Sequence, residues 1–183
     1  MKWKQAQTGY PWIDAAMLQL QQTGFMHHLA RHAVACFLTR GDLWVDWQLG
    51  RDVFDELLVD CDPPLNSGNW QWLSCSAYFY QYFRVYSPVS FPKKYDKSGE
   101  FVRYFLPALR KVPDKFIYEP WQMPLEMQRR VGCVIGKDYP APIVNHKEAS
   151  SANIQRLKIA YDEHKRKRAA GTESSASRKK NKR

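Results

Sequence analysis

Asp60-Cys61-Asp62-Pro63-Pro64-Leu65-Asn66-Ser67-Gly68-Asn69-Trp70-Gln71-Trp72 sets two carboxylates two residues apart ahead of a breaker-rich turn, an Asn, a Gly and two tryptophans. Pro63-Pro64 is expected to end the helix that carries Asp60. The residue before a proline is pushed out of the right-handed helical region, and proline donates no backbone hydrogen bond. The turn then holds charged and amide groups at a helix end, with Trp70 and Trp72 opening the next helix. Taken alone, the stretch reads as a helix-turn-helix connection with two core tryptophans, and its neighbours decide what it is for.

Upstream, Thr8-Gly9-Tyr10-Pro11-Trp12 turns into a helix, since a proline at the first helical position loses nothing by lacking an N–H. Ile13, Met17 and Leu20 continue a helical period that ends at Thr23-Gly24. A second helix is expected over 26–40, stopped by Gly41. Its C-terminal half is apolar on most sides, yet its first turns present His27, His28, Arg31 and His32. His28 and His32 are four apart and share a face. With no third ligand at a useful spacing this is a weak metal signal, and no metal is expected. Arg31 in a buried helix needs a carboxylate, because an unpaired buried charge is very costly; Asp60 and Asp62 are the available partners. Trp44 and Trp47, three apart, are expected on one helical face, followed by a helix over 51–59 with Val53, Phe54, Leu57 and Leu58 inward.

Downstream, the aromatics of 70–83 recur too densely for a strand that alternates between core and solvent, and they predict helix, closed by Arg84-Val85-Tyr86-Ser87-Pro88. Residues 91–98 read as a loop carrying Lys93, Lys94 and Lys97. Helices are predicted over 100–109, interrupted near Pro107, over 125–135, and from Asn145 through Ile154, Leu157 and Tyr161; Tyr139-Pro140-Ala141-Pro142 reads as extended.

A chain of 183 residues with 44% hydrophobic side chains has enough material for one domain with a substantial core. Seven Trp, ten Tyr and nine Phe exceed what such a core normally needs, which leaves aromatics over for a site. No apolar run reaches the roughly 18 residues of a membrane span, and Met1-Lys2-Trp3-Lys4 opens no signal-peptide core, so a soluble protein with no membrane partner is expected. Cys36, Cys61, Cys75 and Cys133 show neither disulfide framework nor zinc spacing and read as reduced thiols. The net charge of +10 suggests nucleic acid until it is partitioned: residues 165–183 hold nine Lys or Arg against one Glu, so the body is nearly neutral. Within that tail, two basic clusters flank a Gly/Ser/Ala spacer, as in a bipartite signal read by a nuclear import receptor. A disordered tail that binds phosphates is the compatible alternative.

Trp12-Ile13-Asp14-Ala15, His27-His28-Leu29-Ala30-Arg31-His32, Leu38-Thr39-Arg40-Gly41-Asp42-Leu43-Trp44, the 60–72 stretch and Tyr82-Phe83-Arg84-Val85-Tyr86-Ser87-Pro88 together closely resemble the cryptochrome/photolyase family, and most of all its (6-4) photolyase and animal-type cryptochrome branch. The resemblance runs from Trp3 to about Tyr161. It implies an all-α fold, the C-terminal part of the helical FAD-binding domain over 1–164, followed by a basic disordered tail over 165–183. An antenna domain and the earlier half of the FAD domain are expected upstream of Met1, along with a distal tryptophan.

Carried over to this sequence, the resemblance implies that Arg31 and Asp60 form the salt bridge beside the flavin of FAD, that Asp60, Cys61 and Asp62 make the wall meeting its ring and ribityl groups, with His28 also against the cofactor, and that Asn66 faces flavin N5. Trp70 and Trp47 would be the first two members of the photoreduction chain, with Trp44 a further aromatic donor. His28 and His32 would be the catalytic histidines of a (6-4) repair pocket that Trp72, Arg84 and Tyr86 line, and Lys93 and Lys94 would grip DNA phosphates beside it. Pro63 and Pro64 stand where the family often carries a bulkier pair, at a position that meets the lesion. A (6-4) lesion needs a proton to move, and histidine alone has an unperturbed pKa near neutrality. Asn69 and residues 81–86 keep a polar and aromatic lesion wall, which favours light-driven repair of DNA carrying UV photoproducts. The competing reading is a blue-light photoreceptor acting on transcriptional or clock partners, and a cyclobutane-dimer photolyase is a weaker third. The tail implies the nucleus, with chloroplast or cytoplasm as alternatives.

Overall fold

A computed structural model describes the backbone of residues 1–180 and the side chains of residues 1–168. Its order is α1 (Pro11–Thr23), α2 (His28–Cys36), a π-helical turn (Phe37–Gly41), α3 (Trp47–Leu57), α4 (Pro63–Ser74), α5 (Ser90–Tyr95), α6 (Glu100–Phe105), three short 3-10 turns, α7 (Leu125–Val131) and α8 (His146–Lys180). Among the described residues no strand forms, only an isolated bridge between Ile135 and Tyr139, and no helix is long and apolar enough to cross a membrane.

The central stretch folds differently from the expectation. Pro63 starts a helix instead of ending one: α3 stops at Leu57, Asp60 lies in the connecting turn, and Asp62 caps α4 by accepting the Leu65 N–H at 2.9 Å. The first N–H groups of a helix have no partner inside it, so Pro63 costs nothing there. Trp70 and Trp72 therefore sit in the last turns of α4, not in its first.

The helix predicted over 70–83 also ends early, at Ser74. Cys75 adopts the left-handed region (φ 59°), and the Ser76 N–H folds back onto the Gln71 carbonyl at 3.1 Å, which closes the helix end. Residues 75–89 are thus an irregular segment that carries its aromatics past α2 and α8. Lys93 and Lys94 lie on the short α5 rather than in a loop.

The helix predicted over 26–40 divides. At Thr39 the backbone leaves helical geometry and the Thr39 hydroxyl donates back to Ala35 O at 2.7 Å, giving the π-turn. Trp44 then takes a left-handed backbone (φ 53°), while Trp47 is the first residue of α3, whose cap is Asp46 accepting the Gln48 N–H at 2.9 Å. The two indoles consequently do not share a helical face.

The core collects α1, α2 and the inner faces of α3, α4 and α6 around Trp3, Ile13, Met17, Leu20, Phe37 and Trp70. Buried Asp14 is held by donors on all sides, from Thr8 N (2.8 Å), Thr8 Oγ1 (2.6 Å), Gly9 N (3.0 Å) and Tyr139 Oη (2.5 Å), which ties α1 to residues beyond α7. Gly50 on α3 meets Trp70 on α4: a Cβ at residue 50 would stand 2.2 Å from the indole. α8 docks on the π-turn, with His146 Nδ1 2.7 Å from Asp42 Oδ1 and Asn153 Nδ2 donating to Gly41 O (3.4 Å) and Asp42 O (3.3 Å). The basic segment expected as a tail continues α8 as backbone helix to Lys180, and its last residues, 181–183, lie outside the described residues.

Candidate functional site

A cavity of about 260 Å3 opens where α2, α3 and α4 converge. α2 contributes His28, Arg31 and His32, the α3–α4 turn contributes Asp60, Cys61 and Asp62, and α4 contributes Asn66 and Trp70, with Phe54 and Leu58 of the α3 end behind them. Eight of the residues singled out from the sequence therefore meet at one place.

Arg31 Nη2 donates to both Asp60 oxygens, at 3.0 and 2.8 Å, and its Nε donates to Met26 O at 2.6 Å. Its guanidinium also lies 5.6 Å from the Phe25 ring centre. The pair is half-exposed, so it fixes where a positive charge stands more than it stabilises the fold.

Asn66 Nδ2 donates to Asp55 Oδ1 (2.8 Å) and to Arg51 O (3.1 Å). Both amide protons are thereby used, and Asn66 keeps its carbonyl oxygen as an acceptor. The same Asp55 oxygen accepts from Cys61 Sγ at 3.1 Å. These two hydrogen bonds hold the Asp55 carboxyl below its usual range, while burial and the Asp55 charge push the Cys61 thiol up to about 11. Cys61 is therefore a neutral thiol, not a nucleophile. Sequence reasoning missed Asp55, which orients two cavity residues; a carboxylate on an exposed helix face looks like a solvated charge, and only its place six residues before Cys61 hints otherwise.

Beside the cavity lies an aromatic wall. His28 and His32 stack edge-on with ring centres 5.9 Å apart, His32 sits 5.6 Å from Trp72, and Trp72 lies 4.3 Å from Phe79. His32 Nδ1 is 3.3 Å from Tyr86 Oη. Burial, and then the neighbouring His28, lower the His32 pKa, while burial raises that of Tyr86. At neutral pH a neutral imidazole and a neutral phenol therefore share the Nδ1–Oη hydrogen bond.

The remaining expected residues lie elsewhere. Pro63 is exposed on the first turn of α4. Arg84 is exposed on the irregular segment, Lys93 is paired with Glu119 at 2.8 Å, and the Lys94 ammonium lies 5.4 Å from the Tyr95 ring centre. The Lys93 charge is thus already answered within the chain. Trp70 is fully buried between Trp3 (6.2 Å) and Phe54 (5.0 Å). Trp47 and Trp44 line a second cavity of about 420 Å3, with Arg40, Cys75 and Leu157. Among the described residues no group of three or more His, Cys, Asp or Glu side chains is arranged to hold a metal ion.

A family model described as the FAD binding domain of DNA photolyase matches residues 1–159. A (6-4)DNA photolyase of Oryza sativa subsp. japonica is 57% identical over 159 residues, 87% of this chain and 29% of that protein. Cryptochrome-2 of Gallus gallus is 56% identical over 162 residues, 88% of this chain and 28% of that protein. Among solved structures, a bacterial class III photolyase from Agrobacterium tumefaciens matches with a TM-score of 0.78 at 38% identity, over 86% of this chain and 33% of that one. A cryptochrome from Synechocystis matches with a TM-score of 0.81 at 35% identity, over 84% and 32%. The chain thus spans under a third of the length of these relatives.

Proposed function

Because the chain belongs to the photolyase/cryptochrome family, whose domain binds FAD, we propose that it forms the flavin-facing and lesion-facing wall of a light-driven (6-4) photolyase. The residues present fit one part of FAD. A cavity of about 260 Å3 is smaller than a dinucleotide needs, but it offers a positionally fixed cation in Arg31, a spare acceptor on Asn66 and an indole, Trp70, at its edge. When bound, FAD supplies absorption of blue light and one-electron chemistry.

This chain's own residues do the rest. Asp60 balances the Arg31 charge, so the site holds a cation beside its cofactor without a net buried charge. Trp72, half-buried beside His32, gives a flipped-out base a stacking surface. His28, exposed at the cavity mouth, is the group that delivers a proton, and His32, fixed by Tyr86, keeps its ring oriented behind it. Trp70 at this cavity and Trp47 and Trp44 at the second would be the oxidisable indoles of the photoreduction series. Exposed Arg84 and Lys94 are candidates for phosphate contact. The basic segment 165–183 would serve nuclear import.

The observation that carries this reading is the polar and aromatic wall: Tyr86 and Trp72 close on His32, and Asn69 lines the cavity beside them. Its test is blue-light treatment of an oligonucleotide carrying one (6-4) lesion with the intact protein. We expect light-dependent loss of the lesion, and a fall of roughly 100-fold or more in His28→Ala with FAD still bound. Bound flavin that photoreduces while the lesion persists would instead support the second reading, a blue-light photoreceptor. That reading is favoured by cryptochrome relatives nearly as similar as the photolyases, at 54–56% identity against 57%.

A further inference from the structure

Trp44 is 42% exposed, and Arg156 of α8 lies over it with Cζ 5.4 Å from the ring centre. The docking of α8 holds the guanidinium there. Arg156 Nη1 donates to Asn153 Oδ1 at 3.3 Å, and Asn153 in turn donates to the Gly41 and Asp42 carbonyls just ahead of Trp44. Trp47 also carries an arginine, Arg51, at 5.4 Å, but that charge is answered by Asp52 at 2.6 Å and Asp55 at 3.9 Å. Among the described residues Arg156 has no such carboxylate. Of these two indoles, Trp44 alone faces an uncompensated positive charge.

We propose that Arg156 is a tuning residue that drives proton loss from oxidised Trp44. A one-electron oxidant removes a single electron from the indole, and the resulting radical cation releases its Nε1 proton to solvent, leaving a neutral indolyl radical. While the ring is neutral, the guanidinium is attracted to its face. Once the ring is positive, the same contact is a repulsion between like charges about 5 Å apart, which favours the deprotonated radical by on the order of fivefold at an exposed site. The neutral radical then needs both an electron and a proton to return to tryptophan. The importance of this lifetime rests on the reading of Trp44 as the surface end of the indole series; the proton step itself does not.

The test creates the oxidised ring without using flavin. Flash-quenched tris(bipyridine)ruthenium(III) serves as the oxidant for the intact protein, and transient absorption separates radical cation from neutral radical across a pH series. In Arg156→Gln the radical cation is expected to last about fivefold longer, with its pH profile displaced upward. The Trp44 contribution is read as the difference between the protein and its Trp44→Phe variant, and in Arg156→Lys, which keeps the charge, it stays near wild type. Wild-type decay in Arg156→Gln overturns the proposal, as does an Arg156→Gln effect that persists in the Trp44→Phe background. Failure of the flavin reading would appear separately, as flavin photoreduction that Trp44→Phe leaves unchanged.

Discussion

His32 shows how burial sets chemistry at the scale of one residue. Its pKa is lowered first by burial and then by His28, so the unfolded chain binds a proton more readily than the folded one. Stability therefore rises with pH between the lowered folded value and the unfolded value of about 6.5, and is lost as pH falls through that window. Urea midpoints across this range should show that slope, and His32→Gln should flatten it; an unchanged slope would assign the titration to another group. At this scale much of the site was legible. Arg31 demanded a carboxylate because a charge on an apolar helix cannot stand alone, and Asp60 supplies it. Asp55 was not legible, since its role depends on two partners, Cys61 and Asn66, that only the α3–α4 turn brings within reach.

Elements were read less well than residues, and the errors lie at helix ends. Proline both stops and starts helices, and in Pro63 the second use prevails because Asp62 caps the helix behind it. Asp62→Ala should cost about 1 kcal/mol in urea unfolding, the usual worth of such a cap, and a cost near zero would mean the carboxylate is spent elsewhere. The aromatic density of 70–83 suggested more helix than exists, because the left-handed backbone at Cys75 turns the chain back onto Gln71 and ends the helix there. Packing between elements leaves a sharper test. Gly50→Ala would drive a methyl group to 2.2 Å from Trp70, so α3 and α4 must separate or the indole must turn. Overpacking of this kind costs about 1–3 kcal/mol, and it should also alter Trp70 fluorescence; wild-type stability and spectrum together would contradict the packing described.

For the molecule as a whole, individual helices were legible in the hydrophobic period, and the resemblance implied the all-α fold and the meeting of Arg31 with Asp60. The docking of α8 was not, because Asp42, His146 and Asn153 are far apart in sequence and carry no shared pattern. That docking matters, since it places Arg156 and Leu157 beside Trp44 and Trp47 while Arg31, Asp60 and Asn66 gather at a separate cavity. Large apolar side chains remain exposed near that cavity, Val59 at 80% and Leu65 at 64%, where a cofactor or further protein would cover them. The central claim is that the Arg31–Asp60 pair positions the charge that holds FAD. It is tested most directly by titrating FAD into the intact protein and its Asp60→Asn variant, with urea unfolding alongside. Because the pair is half-exposed, stability should change by no more than about 1 kcal/mol, while FAD affinity should fall about tenfold as Arg31 loses its fixed position. Asp60→Asn that binds FAD as tightly as wild type would contradict the account.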